Sequence, residues 1–144
     1  MAVSGYSQTK QQTVDWLNDK LEEYADSSYM GKFTFEILQH EGDDVIGISK
    51  ASSSIGTIFY VIVPSTVVDV ITTTSCRTDG KRCVKIKALE DTILFGSSNT
   101  SNLDSEMTIY LMGAPDSVVF SIQKSIKHLL KTLGNEIPEK KNYF

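Results

Sequence analysis

The sequence predicts an α+β protein, mainly β, in which about seven antiparallel strands form a curved sheet or barrel. Three observations support this prediction. Short segments of alternating apolar and polar residues follow one another between residues 32 and 112, with tight turns between them. One helix-period apolar pattern precedes them at residues 9–26, and a second follows at residues 115–133. A sheet of this length curls and leaves an opening, and the C-terminal helix is expected to cap it.

The C-terminal helix has the clearest pattern. Its apolar residues recur at steps of three and four, which places them on one face: Val118, Val119, Ile122, Ile126, Leu129, Leu130 and Leu133. Gln123 falls outside this face and is expected to be solvated. Pro115 suits the first turn, and Gly134 suits the left-handed residue that ends a helix. The pattern predicts a core helix.

The N-terminal helix carries a narrower apolar stripe that includes Val14, Leu17 and Leu21. Trp16 lies off this stripe. It is either an exposed aromatic residue for a partner or a side chain that covers a sheet edge.

Strands are predicted at residues 32–39, 45–51, 56–63, 67–76, 82–89, 92–96 and 107–112, and a polar loop at residues 96–105. Neither a linker nor an internal repeat divides the sequence. The whole chain, residues 1–144, is therefore expected to form one domain, with loose termini at residues 1–8 and 135–144.

Composition limits the classes of function. The chain has 144 residues, 40% of them hydrophobic, and a formal net charge of −4. No apolar run is long enough to span a bilayer, so no integral membrane segment is expected. The negative charge disfavours nucleic-acid partners. The first twelve residues are polar and contain no signal peptide, which fits either a cytoplasmic protein or an exported one whose signal has been removed.

The two cysteines flank a predicted hairpin turn. Asp79-Gly80 is a strong two-residue turn signal, and counting outwards from it places Cys76 opposite Cys83. Directly opposed residues of antiparallel strands lie within disulfide range. The pair is either a disulfide, which favours an exported protein, or two thiols in a reducing compartment.

Five basic residues surround the same hairpin: Arg77, Lys81, Arg82, Lys85 and Lys87. They form either a patch for an anion or an acidic partner, or a solvated strand face whose lysines discourage aggregation. Aromatic residues do not alternate with them, so binding of single-stranded nucleic acid is not indicated.

No catalytic motif is present in the sequence. It lacks a nucleophile elbow, a phosphate-binding glycine loop and the usual zinc spacings, so no catalytic, cofactor or metal site is predicted. Glu41, Asp43 and Asp44 are acidic neighbours, but they lack the alternating ligand pattern of a calcium loop. A non-enzymatic protein is expected.

Three stretches carry a resemblance. Residues 63–70, Val-Pro-Ser-Thr-Val-Val-Asp-Val, resemble the proline-containing crossing of pleckstrin-homology-like barrels. Residues 13–18 and 126–134 resemble the opening and closing helices of small, uncharacterised exported proteins of the Bacteroides group. This resemblance implies a pleckstrin-homology-like barrel and export. The acidic first hairpin, residues 40–44, departs from the basic pattern of phosphoinositide-binding members, so no phosphoinositide partner is expected.

Two functional hypotheses follow. The first is an interaction module that binds a protein or peptide along an open strand edge or at the hairpin tips. The second is a carrier of a small apolar ligand in a cavity between the sheet and the C-terminal helix. That cavity would be lined by Phe33, Phe35, Phe59, Tyr60, Phe95, Met107, Tyr110, Met112 and Phe120.

Overall fold

The structure is a computed structural model that describes residues 9–24, 31–52, 56–73, 82–97 and 101–135. Its elements, in chain order, are α1 (Lys10–Glu23), β1 (Lys32–His40), β2 (Asp43–Ser52), β3 (Gly56–Ile62), a 3₁₀ turn (Pro64–Thr66), β4 (Val67–Thr73), β5 (Arg82–Ala88), β6 (Ile93–Gly96), β7 (Ser101–Asp104), β8 (Glu106–Leu111) and α2 (Asp116–Thr132). The predicted α+β class, mainly β with a helix at each end, is confirmed.

The strands form two antiparallel sheets. The first sheet has the order β1-β2-β3-β6-β7, and the second has the order β4-β5-β8. The chain passes from one sheet to the other after β3, after β5 and after β7. Two backbone hydrogen bonds link the segments at these crossings, from Ala88 N to Ser105 O (2.7 Å) and from Leu89 N to Thr66 O (2.9 Å).

The sheets are not closed into a barrel, because α1 occupies the opening between β1 and β8. Asn18 of α1 hydrogen-bonds to Phe35 in the middle of β1. At the other end of the helix, Tyr24 O accepts a hydrogen bond from Met112 N, directly after β8 (2.9 Å). Of the two predicted forms the closed barrel is not observed in the described residues, and the strands form two sheets rather than one.

Both helices begin and end where local chemistry favours it. Thr9 and Gln12 form a reciprocal capping box at the start of α1. The second helix follows Pro115, and Gly134 after its end has a φ of 97°, a conformation that glycine adopts without steric cost.

The core lies between the sheets and the helices. α2 buries Val119, Ile122, Ile126, Leu129 and Leu130, while Val118 and Leu133 pack at its margin, which confirms the predicted face. α1 adds Val14, Leu17 and Leu21 to the same cluster. Burying one such aliphatic side chain contributes about 1.5–3 kcal/mol.

Two details of the prediction are wrong. Residues 101–104, expected in a polar loop, form β7, which pairs with β6. Asn135, expected at the start of a loose tail, is buried and donates through Nδ2 to Val67 O (3.0 Å) and to Pro64 O. The remaining predicted tails, residues 1–8 and 136–144, lie outside the described residues.

The register of the β4–β5 pair also differs from the prediction. Thr73, and not Cys76, lies directly opposite Cys83. This register pairs Val70 with Ile86, and both side chains are buried in the core. Burial of one face of a strand strongly specifies its register.

Candidate functional site

The edge of β1 is covered by α1. The side-chain amide of Asn18 accepts from Phe35 N (2.7 Å, to Oδ1) and donates to Phe35 O (2.9 Å, from Nδ2). One side chain thus pairs with both backbone groups of Phe35, as a neighbouring strand would. The ion pair between Lys32 and Glu22 (3.8 Å) lies along the same boundary. A further strand cannot pair with β1 at this position without displacing the helix.

The edge of β4 is covered by side chains from α2 and its end. Gln123 Nε2 donates to Val70 O (2.8 Å), and Val70 N donates to the carboxylate of Asp69 (2.9 Å). Asn135 pairs with the carbonyl oxygen of Val67 in the same strand. Gln123 was expected to be solvated. It lies off the buried face, but it is only partly exposed, and its amide pairs with a strand edge.

The last strand of the first sheet, β7, has an exposed outer edge. All four of its residues are exposed, and among the described residues no strand pairs with it beyond β6. β8, the outer strand of the second sheet, likewise pairs only with β5 in the described part of the chain, but it buries Met107, Ile109 and Leu111. An unpaired row of backbone N–H and C=O groups can pair with another chain.

An apolar row crosses the outer face of the first sheet and ends on β7. Val61 lies opposite Leu94, and Leu94 lies opposite Leu103. Leu94 is 40% exposed and Leu103 is 58% exposed. Phe59, two residues before Val61, lies on the same face and is 52% exposed. We call Phe59, Val61, Leu94 and Leu103 the outer row.

The inner side of the same edge is aromatic and acidic. Tyr60 lies opposite Phe95, and their rings stack with centroids 6.0 Å apart and planes inclined by 23°. Asn102 of β7 lies opposite Phe95, and Asp104 lies opposite the buried Ile93. Burial, followed by the neighbouring Tyr110 and Asp104, raises the pKa of Tyr60 above its usual value. We call Tyr60, Phe95, Asp104 and Tyr110 the inner cluster.

The described members of the predicted basic patch do not share a face. Arg82 forms an ion pair with Asp116 at the start of α2. Lys85 and Lys87 point to the opposite face of β5, where Lys85 lies 3.9 Å from Glu106 and Lys87 lies opposite the same residue. Arg77 and Lys81 lie outside the described residues, so an anion site there stays a prediction.

The predicted disulfide also involves a residue outside the described part of the chain. Cys83 is buried on β5, whereas Cys76 is not among the described residues. The cross-strand opposition from which the pairing was predicted is replaced by the Thr73–Cys83 register. The disulfide stays a prediction without that support.

Trp16 is half-buried and packs against the core cluster, with the Lys20 ammonium 6.0 Å from the centroid of its ring. Of the two interpretations of Trp16, packing agrees with this position.

The acidic first hairpin turns at Glu41 and Gly42, both with positive φ, and its Asp44 forms an ion pair with Lys10 of α1 (2.6 Å).

The residues expected to line an apolar cavity are dispersed. Phe33, Phe35 and Met107 are buried in the core, whereas Phe59, Met112 and Phe120 are exposed. A half-open cleft of ≈ 410 Å³ does lie between the second sheet and α2. Its lining combines polar and apolar side chains: Thr72, Thr73, Arg82, Asp116, Val119 and Phe120.

Two classes of site find no support in the described residues. No group of three or more His, Cys, Asp or Glu side chains in this part of the chain is placed to hold a metal ion. No helix there is long and apolar enough to cross a membrane.

Comparisons with protein-family models, with curated proteins and with solved structures found no match for this chain.

Proposed function

We propose that the protein is a non-enzymatic interaction module that binds an extended segment of a partner protein as an additional strand beside β7. The observation that carries this proposal is the position of Leu103. It is 58% exposed, lies on the outermost strand of the first sheet and continues an apolar row. Strand addition uses an exposed strand edge for backbone hydrogen bonds and nearby exposed apolar residues for side-chain contacts.

The way in which the edges of β1 and β4 are covered supports the choice of β7. Asn18 covers β1, and Gln123, Asp69 and Asn135 cover β4. Edges that are left unprotected invite association, and proteins commonly block them. In the described part of the chain, no helix-borne amide covers β7 in the same way.

The alternation of a strand specifies the partner segment further. A residue that faces outward beside β7 would contact Leu103, and the next residue would face inward beside Asn102 or Asp104. We therefore expect a segment in which apolar residues occupy every second position. Backbone hydrogen bonds would supply affinity, and the alternate side chains would supply selectivity.

Peptides selected from a random library displayed on phage would test the proposal, with the full chain as the target. Selected peptides should alternate in polarity and should protect the amides of residues 101–104 from hydrogen exchange. Leu103→Asp should weaken their binding more than about tenfold, because it places a charge in the apolar contact. Phe120→Asp, a similarly exposed position on α2, is the matched control and should bind as the parent does. Equal binding by Leu103→Asp, or protection elsewhere without change at β7, would overturn the proposal.

A small-ligand carrier is the alternative. The cleft beside α2 reaches the size of small-molecule sites, which begin at about 300 Å³. Its lining sets the Arg82–Asp116 ion pair and two threonines beside the apolar side chains of Val119 and Phe120. An interaction module accounts for more of the exposed apolar surface, so it is preferred.

Export, the Cys76–Cys83 disulfide and the pleckstrin-homology-like resemblance belong to the same proposal. A mainly β fold with a C-terminal helix supports the resemblance, and the unclosed sheets depart from it. A disulfide in this chain would favour an oxidising compartment, where the partner would then also be found.

A further inference from the structure

The inner cluster has a composition that suits a positively charged group. Tyr60 and Phe95 present stacked rings, and the faces of aromatic rings attract cations. Asp104, opposite Ile93 on the same face of the sheet, contributes a carboxylate to the cluster. One oxygen of Asp104, Oδ1, accepts from Ser105 N (2.7 Å), which holds the carboxylate at the end of β7.

The protein already uses contacts between lysines and rings within its own fold. The Lys20 ammonium lies 6.0 Å from the centroid of the Trp16 ring, and the Lys50 ammonium lies 5.8 Å from that of Phe33. Tyr60 and Phe95 differ from those rings because they are near the exposed edge at β7, and Asp104 lies beside them.

We propose that the inner cluster is a binding site for a cationic side chain, arginine above lysine, of the segment that pairs with β7. This inference rests on the proposed function, because the segment's inward-facing residue reaches the cluster only when the chain lies along that edge. A guanidinium group is planar, so it can stack on the rings and donate hydrogen bonds to the carboxylate at the same time. The ligand is thus an extended segment in which an apolar outward residue is followed by a basic inward one.

The site can be tested without a partner by titrating the full chain with L-argininamide while the ring resonances of Tyr60 and Phe95 are followed by NMR. L-citrullinamide has nearly the same shape and lacks the guanidinium charge. We expect saturable shifts with L-argininamide and none of comparable size with L-citrullinamide. Asp104→Asn should weaken L-argininamide binding about three- to tenfold, because it removes the charge at an exposed position where folding is unaffected. Asp91→Asn, another exposed carboxylate, is the control and should leave binding unchanged.

Equal shifts with both compounds, or unchanged affinity in Asp104→Asn, would overturn the cation site. The two proposals fail separately. If L-argininamide binds and no selected peptide pairs with β7, strand addition falls and the cation site stands. If peptides bind through Leu103 and replacement of their inward arginine by citrulline leaves affinity unchanged, strand addition stands and the cation site falls.

Discussion

Replacing Asn18 with alanine should destabilise the protein by about 2 kcal/mol. The amide forms two hydrogen bonds with Phe35 at 2.7 and 2.9 Å, and each intramolecular hydrogen bond contributes about 0.5–1.5 kcal/mol. Two such bonds together contribute about 1–3 kcal/mol. Because the site is only part-buried, water can partly replace the amide, and we expect a loss near the middle of this range. For a chain of this size, about 2 kcal/mol lowers the midpoint of thermal unfolding by about 4–8 °C.

The measurement is urea unfolding followed by circular dichroism, together with hydrogen exchange of the Phe35 amide. Asn18→Asp is the sharper variant, since its carboxylate still accepts from Phe35 N but cannot donate to Phe35 O. It should lose about half of the stabilisation or more. Asp19→Ala, at the next and exposed position of α1, should change stability by less than about 0.5 kcal/mol. If Asn18→Ala unfolds at the parental midpoint and the Phe35 amide exchanges at the parental rate, the proposed protection of the β1 edge is refuted.

Three further predictions concern backbone geometry, ionisation and covalent structure. Gly31→Ala should lower the free energy of unfolding in urea more than Gly42→Ala does. Both glycines have positive φ, which is unfavourable for alanine. A Cβ on Gly31 would also lie 2.7 Å from a backbone oxygen, whereas one on Gly42 would meet nothing within 4 Å. The phenol of Tyr60 should ionise above its usual pKa in an absorbance titration. Because the unfolded chain then loses this proton at a lower pH than the folded chain, the stabilisation from the protonated phenol is complete below pH 10.0 and is lost as the pH rises through the folded pKa. The variant Tyr60→Phe should not show this loss of stability. Mass spectrometry of unreduced proteolytic peptides should find Cys76 linked to Cys83, and recovery of both as separate alkylated thiols would contradict the disulfide.

The helices could be predicted from the sequence because their information is local. The apolar period of α2 places its buried residues correctly, and the glycine that ends it can be identified from one position. The alternation of β1 likewise predicts that Phe33 and Phe35 are buried. These patterns need no knowledge of which segments meet in space.

Features that depend on distant partners could not be predicted in this way. β7 is a run of Ser-Asn-Leu-Asp whose residues are exposed, so only its pairing with β6 makes it a strand. Gln123 looks like any polar helix residue until Val70 O lies next to it. The predicted register of β4 and β5 was wrong for a related reason. It rested on the turn signal alone, whereas the observed register pairs the buried side chains of Val70 and Ile86.

The candidate surface follows from comparing the edges with one another. Helix-borne side chains cover the edges of β1 and β4 with amides that pair with backbone groups, so strand pairing is blocked there by specific contacts. β7 carries Leu103 on one face and Asp104 on the other. The leucine stays exposed, and the carboxylate of Asp104 would attract a positively charged partner. β8, the fourth outer strand, differs from β7 in that it buries its apolar side chains. The difference between the edges is therefore the reason to test β7 first.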